Sequence, residues 1–430
     1  DTPLLLKAPR SLEFYLQPTP VKPKNMEMRG FRVRENMICW GEYVTLYFAH
    51  KRPGKFSERH LKYFREQQEK HGKRVFYYNA PKGASPVSPE WNYFGMEWHC
   101  SPPRLGEYMR DAQTPNRAAR NMYLSTFACL NSKDFFDYKL DSIGGFLQNP
   151  EYKVRDLYFD LTWPRPCANP VHGCQWTDEF GYRHRDGDLK QLRLLLKRLY
   201  IQMKQKDATA LFCGHTISTR LPSDVFFDSL LVGELYDRHI LNGPSYYNVL
   251  TPDLMRIAYA SRNIEMEVSL IPQFERALQL FAPDRYAKLN PAEPEMDRAI
   301  CHFLGYMLVH DLGSRPTTKN NARMKEFYAA RDRIAGRSGA YTFHPYWEEK
   351  NSPVKPSFFG KYCMVSCFSN PGRLTIAALN DSDKTETFEL SVDTARFGLK
   401  KDITGMELIS NRKVEVKNGK LTSMIGPRGL

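Results

Sequence analysis

Two carboxylates in this sequence end short apolar runs. Asp160 closes Leu157-Tyr158-Phe159-Asp160, and Glu234 closes Leu230-Leu231-Val232-Gly233-Glu234. An acid at the tip of a buried strand sits in low dielectric, which favours its neutral form and raises its pKa. Glycosidic bond cleavage needs two such groups, one to protonate the leaving oxygen and one to act as nucleophile or base. The competing reading of each acid is a capping or salt-bridging group paired with a rim arginine. The segment after Asp160 supplies Trp163, Asn169, His172 and Trp176. Indole rings stack on sugar faces, while amide and imidazole groups hydrogen-bond hydroxyls, the mix of apolar wall and few polar groups that pockets use. Trp98, His215 and Asp311 follow other strand-like runs and complete the expected sugar-binding set.

The same segment offers metal-ligating types, Cys167, His172 and Cys174, with His184 further on. Their CxxxxHxC spacing matches no standard zinc pattern. Neither a metal nor another cofactor is therefore expected. Asp178-Glu179 is an adjacent acidic pair of the sort that orients an acetamido group in substrate-assisted hexosaminidases. It stands just ahead of Gly181, where a solvated turn is the simpler reading. Ser218 near His215 lacks the GxSxG elbow of a serine nucleophile.

The elements that must position these groups alternate along the chain. Eight β-rich runs occur at residues 43–49, 74–78, 121–127, 155–161, 208–213, 229–233, 266–271 and 303–309. Most are unbroken apolar or β-branched stretches, the pattern of strands buried on both faces. Helical segments lie between them. One opens near Ser57 and stops at Gly72. Another opens at Asp188 and carries Leu189, Leu192, Leu195, Leu196, Leu199 and Met203 on one face. Thr251-Pro252-Asp253 joins an N-cap candidate to a proline at the first helical position. The expected fold class is α/β, a (β/α)8 TIM barrel over residues 37–350, whose active site lies at the C-terminal strand ends. In that count Asp160 ends strand four, Glu234 strand six, and His310 and Asp311 strand eight. A doubly wound sheet would need a glycine-rich first turn, and none is present. Residues 1–36 are proline-rich and read as an extension or the remnant of a β-domain. From residue 355 to 430 short strands at 362–368, 374–380, 385–392 and 413–416, split by Asn-Pro-Gly and Lys-Asn-Gly turns, predict a small antiparallel β-domain.

The 430 residues are 42% apolar and 26% charged, values of a globular chain with room for a large core. No run reaches the roughly 18 consecutive apolar residues of a membrane span. The formal charge is +14, spread over helix faces such as Lys190, Arg193, Lys197, Arg198 and Lys204. That distribution reads as a solvated basic surface, with an acidic glycan the partner it best fits. No nucleic-acid module accompanies it. Nine cysteines, an odd number lying partly within apolar runs, do not make a disulfide framework. Asp1-Thr2-Pro3-Leu4 lacks the charged and long apolar regions of a signal peptide, so any such segment is expected to be removed or absent.

Asp156-Leu157-Tyr158-Phe159-Asp160, then Cys167-Ala168-Asn169-Pro170, His172-Gly173-Cys174, Asp178, Gly181, Lys197-Arg198-Leu199-Tyr200, His215 and Gly233-Glu234 resemble a group of bacterial glycoside hydrolase-like proteins. That group is distantly similar to the family 123 β-N-acetylgalactosaminidases. The likeness is densest from Asp156 to Glu234, and the C-terminal β-domain resembles those appended to amylase-like glycosidases. It implies a secreted or periplasmic enzyme acting on an oligosaccharide or complex glycan. By analogy with barrel glycosidases of the α-galactosidase type, it implies Asp160 as nucleophile and Glu234 as acid/base. The catalytic Asp-Glu pair of family 123 is not found at a strand end. The alternative from another class is a carbohydrate-binding protein without turnover on the same barrel, in which the two carboxylates would be salt-bridged or too far apart.

Overall fold

Unbroken apolar runs become the strands of one parallel sheet. The computed structural model describes residues 16–23, 25, 28, 37–40, 58–84, 89–100, 126–150, 154–216, 222–234, 236, 247, 249–260, 266–271, 274–275, 278–279, 282–288, 294–315, 321–335, 341–358 and 363–430. Its main sheet consists of β1 (Met37–Trp40), β2 (Arg74–Asn79), β3 (Asp156–Phe159), β4 (Phe212–His215), β5 (Ser229–Val232), β6 (Glu267–Leu270) and β7 (Gly313–Ser314). The seven pair in chain order and are parallel throughout. Strand order that never reverses differs from the doubly wound sheet, which turns back at a switch point. The expected first strand, 43–49, lies outside the described residues.

The two faces of this sheet have separate partners, because successive side chains alternate across a strand. Val75, Tyr77, Leu157, Phe159, Phe212, Leu230, Val232, Val268 and Leu270 face the helices and join the large core. Phe76, Tyr158, Cys213 and Leu231 face the other way, where Met28, Leu211 and Ile271 meet them. Helix α1 (Glu58–His71) follows β1 and α2 (Pro89–Trp98) follows β2. Helix α3 (Lys133–Gln148) packs against α4 (Leu189–Lys206). Of the expected stripe of α4, Leu192, Leu195, Leu196, Leu199 and Met203 are each at most 1% exposed, while Leu189 in the first turn is only half-buried. Asp188 holds the N-cap position but caps nothing with its side chain. Its carboxylate instead takes Lys82 Nζ at 3.1 Å and the Arg165 N–H at 3.0 Å.

Two expected strands are corrected. Residues 303–309 are the last half of helix α5 (Pro294–Val309). Almost all of this half is buried, on one side against the sheet's core and on the other against the C-terminal domain, so its apolar run has no helical periodicity to read. Pro294, Glu295 and Asp297 in its first turn suit a helix N-terminus. Of 121–127, Thr126–Phe127 pairs antiparallel with Gly83–Ala84, away from the main sheet. Among the described residues, the 121–127 run therefore adds no strand to the main sheet ahead of Asp160.

Helix α6 (Asn321–Ala335) leads to the C-terminal domain. One of its sheets runs β8 (Thr342–His344), β10 (Cys363–Asn370), β11 (Arg373–Asn380). The other runs β9 (Val354–Phe358), β12 (Glu386–Val392), β15 (Lys420–Ile425), β14 (Lys413–Lys417), β13 (Ile403–Met406). Val365 and Cys367 of the first pack with Val354, Phe388, Leu390 and Ile425 of the second, giving the antiparallel β-domain a core between its layers. Asn418 and Gly419, with φ of 50° and 72°, make the tight turn between β14 and β15 that the Asn-Gly pair signals.

Candidate active site at the strand ends

Three consecutive strands deliver three titratable side chains to one place. Asp160 follows β3, His215 ends β4, and Glu234 stands two residues past β5. His215 Nδ1 lies 3.1 Å from Asp160 Oδ1, and its Nε2 lies 3.5 Å from Glu234 Oε2. The imidazole thus stands between the carboxylates. Asp160 has further partners. The Tyr78 hydroxyl donates to its Oδ2, and the Leu161 N–H donates to its Oδ1 at 2.7 Å. Burial pushes the Asp160 carboxyl up. The bonds and charge of His215, then Tyr78 and the Leu161 N–H, outweigh it and hold the group below the ordinary aspartate value. The sequence-based expectation of a raised value at this position is corrected, because the partners lie on neighbouring strands and are invisible locally. The charged form of Asp160 is the one this site is built around.

The backbone is shaped to this end. Leu161 adopts φ of 58°, which a bulky side chain rarely tolerates and which concentrates at functional sites. The next residue, Thr162, bonds the His215 carbonyl through both its N–H (3.1 Å) and its hydroxyl (3.0 Å), tying the end of β3 to the end of β4. A Cβ on Gly214 would stand 2.5 Å from the Phe227 ring, so glycine lets that ring seat behind His215. Glu234 has a side chain 36% exposed, against 20% for Asp160 and 12% for His215. It is the carboxylate most open to a ligand. Tyr158 and Tyr78 stack at 5.1 Å beneath the cluster.

The other expected sugar ligands divide. Trp163 is half-buried just past Asp160, with its carbonyl held by Lys82 Nζ. Trp176 is 47% exposed on the hairpin of Gln175–Thr177 and Arg183–Gly187, stacked on His184 at 4.3 Å. Asn169 does not face a ligand. Its Nδ2 donates to the carbonyls of Met96, Glu97 and His99, at 3.1, 3.3 and 3.0 Å, closing the C-terminus of α2. Trp98 is 4% exposed and packs among Phe94, Phe135 and Tyr138, so it belongs to the core. Asp311 precedes β7 and therefore lies at the opposite, N-terminal edge of the sheet, bonded by the Tyr341 hydroxyl at 2.5 Å. It was placed at the rim because 303–309 reads as a strand. His310, the neighbouring expectation, is buried between Tyr306 and Trp347. His172 points its Nδ1 at Cys167 Sγ, 3.4 Å away, rather than into the site. Asp178 is a turn residue: its Oδ1 accepts the N–H groups of Phe180 and Tyr182, and its Oδ2 meets His184.

Sequence reasoning missed Tyr78, which bonds Asp160, and passed over Arg315 at the end of β7. Tyr78 is two residues beyond the inward-facing Phe76, so strand alternation alone points to it. Arg315 directly follows β7, its N–H bonded to the Leu270 carbonyl at 3.0 Å. Counting by alternation from Gly313, whose Cβ would meet Ser269, puts Arg315 on the inward side. Its buried Nε has no hydrogen-bond partner among the described residues.

No protein-family model and no curated protein matches this chain. Solved structures do, in fold. An α-amylase from Anoxybacillus superposes with a TM-score of 0.53 at 10% identity, over 94% of this chain and 86% of that one. A maltogenic α-amylase from Thermotoga neapolitana gives 0.51 at 9%, over 93% and 90%. The α-amylase of Geobacillus thermoleovorans, in a complex with acarbose, gives 0.55 at 10%, over 94% and 88%. These neighbours are (β/α)8-barrel amylases, and this chain matches them in a parallel sheet followed by a C-terminal antiparallel β-domain.

Proposed function

We propose that this chain is a glycoside hydrolase whose parallel sheet closes into a (β/α)8 barrel, with Asp160 and Glu234 as its working carboxylates. The observation that carries the reading is the Asp160–His215–Glu234 chain at the C-terminal ends of three consecutive strands, where barrel enzymes keep their chemistry. Asp160, held ionised, is the base or nucleophile. Glu234, more exposed, protonates the leaving oxygen. His215 and Tyr78 are positioning residues that fix the charge of Asp160. Contacts of 3.1 and 3.5 Å from the two ring nitrogens of His215 suit a carboxylate pair nearer the about 6.5–9.5 Å that leaves room for a water than the about 5–5.5 Å of retaining pairs. The reading is thus of inversion, with Asp160 activating that water. Trp163 and Trp176 offer rings to the sugar, and Arg315 suits an anionic substituent, in keeping with the +14 charge. The likeness of the Asp156–Glu234 motif to family 123 relatives supports a glycan substrate, but the turn role of Asp178 argues against acetamido assistance. Action outside the cytoplasm follows from that likeness.

The test is hydrolysis of a panel of aryl glycosides and glycan oligosaccharides, with the anomer of the first product read by NMR. Asp160→Asn and Glu234→Gln should each lower kcat by about a thousandfold or more with unchanged circular dichroism, as removal of an acid or base group does. Wild-type turnover in both variants would sink the assignment. The second reading, a carbohydrate-binding protein without turnover, is favoured by the engagement of both carboxylates with His215. It predicts calorimetric binding of an oligosaccharide that is never cleaved.

A further inference from the structure

Three stretches of chain far apart in sequence are zipped together beside the loop that follows Asp160. The Cys100 N–H bonds the Phe127 carbonyl at 3.2 Å, the Cys129 N–H bonds the Trp98 carbonyl at 2.8 Å, and the Ala168 N–H bonds the Cys100 carbonyl at 2.8 Å. These bonds gather Cys100, Cys129, Cys167 and Cys174 into one buried cluster. One ligand atom each from Cys129, Cys167, His172 and Cys174 lies within 4.8 Å of all the others.

The internal distances are those of a coordination sphere. Cys129 Sγ and Cys174 Sγ are 3.7 Å apart, far beyond the about 2.05 Å of a disulfide. Two sulfurs at about 2.3 Å from one tetrahedral zinc stand about 3.8 Å apart, and a sulfur and a nitrogen about 3.5 Å apart. Cys167 Sγ to His172 Nδ1 is 3.4 Å. The outer contacts are also those that a metal site needs. His172 Nε2 meets the Glu97 carbonyl, which fixes the proton on that nitrogen and leaves the Nδ1 lone pair facing the sulfurs. Asn131 Nδ2 donates to Cys174 Sγ at 3.1 Å, and the Asn169 N–H donates to Cys167 Sγ at 3.4 Å, as donors do around thiolates.

We propose that Cys129, Cys167, His172 and Cys174 bind one zinc ion. Binding displaces three thiol protons, and the Cys3His sphere with Zn2+ keeps one net negative charge, which the two N–H donors offset. Four protein ligands leave no open position, so the ion is structural. It staples the loop carrying Trp163 and Trp176 to the end of α2 and fixes that loop beside Asp160. Cys100, lying against Cys129 and Cys167 in the same cluster, packs against the sphere as a neighbour.

The test is elemental analysis of the chain purified without chelator, joined to X-ray absorption at the zinc edge. The expected result is about one zinc per chain, with three sulfurs at about 2.3 Å and one nitrogen at about 2.0–2.1 Å. Cys174→Ser and His172→Ala should lose the ion, while Cys301→Ser, on α5 and outside the cluster, should keep it. Where a variant does not fold, the wild-type spectrum decides. Less than about a tenth of an equivalent of zinc after dialysis against zinc salts overturns the proposal. So does an intact mass short of two hydrogens, which would mean a Cys129–Cys174 disulfide, or a cluster filled with iron.

Discussion

Asp160 keeps its charge in a place that should remove it, and Tyr78 is the partner whose loss tests this most cleanly. With its pKa held low, Asp160 contributes stability that is present above the ordinary carboxylate range and is lost as pH falls through its folded value. Tyr78→Phe removes one donor to Oδ2 and leaves the ring stack on Tyr158. Burial is then opposed less, so the folded value of Asp160 rises. In the reading of Asp160 as base, the acid limb of kcat/KM against pH moves to higher pH, with a rate loss of about tenfold from a lost charge-assisted bond. An acid limb that stays in place would show that Tyr78 does not govern this carboxyl. At this scale the sequence placed Asp160, His215 and Glu234 near one another, because each ends a run whose end is legible. It misplaced Asn169, His172 and Asp311, since the polar residues of a loop look alike until their partners are known. Cys129 was out of reach entirely: its partners are 38 to 45 positions away, at Cys167, His172 and Cys174.

The elements were most legible where one face alone is buried. The leucines of α4 repeat at helical spacing because the opposite face is wet, whereas α5 is buried on both sides and offers only a continuous apolar run. Helix α3 holds a group no pattern reveals, Lys139, which is fully buried with its Nζ donating to the Gly83 carbonyl at 2.9 Å. Burial pulls its pKa down from 10.5 to about 7. Above 10.5 both folded and unfolded chains are neutral at this site. As pH falls from there to about 7 the unfolded chain takes the proton first, so stability is lost across that window and the loss is constant below it. Lys139→Met should therefore be more stable than wild type at pH 7, by about 1–3 kcal/mol once the orphaned Gly83 carbonyl is allowed for. Denaturant titrations at a series of pH values check this. The gap between variant and wild type should widen as the pH drops from about 10 to about 7 and then level off. A gap independent of pH would mean that Lys139 stays charged in the fold.

At the scale of the whole molecule, α5 is the element shared by both halves. Gly305 on it passes so close to β11 that a Cβ would stand 2.6 Å from Leu379. His302, three residues before Gly305, and Tyr306, the residue after it, reach the same carboxylate, Asp381, at 2.8 and 2.7 Å. Arg428, near the C-terminus, closes the group with a 2.6 Å bond to Asp381 and others to Asp383. Burial raises the Asp381 carboxyl, but the bonds from His302 and Tyr306 and the charge of Arg428 prevail and hold it low. Asp381 is thus an ionised bolt between the α/β half and the β-domain. Asp381→Ala leaves the Tyr306 hydroxyl and the His302 ring without their acceptor and removes one of the two carboxylates on Arg428. The expected cost is about 3 kcal/mol, the size of breaking a partly buried charged network. In calorimetry the wild type should melt in one transition because the two halves share this helix, and Asp381→Ala should lower Tm and split the transition in two. A single transition at the wild-type Tm in the variant would show that apolar packing of α5 on β11, and not this carboxylate, couples the halves.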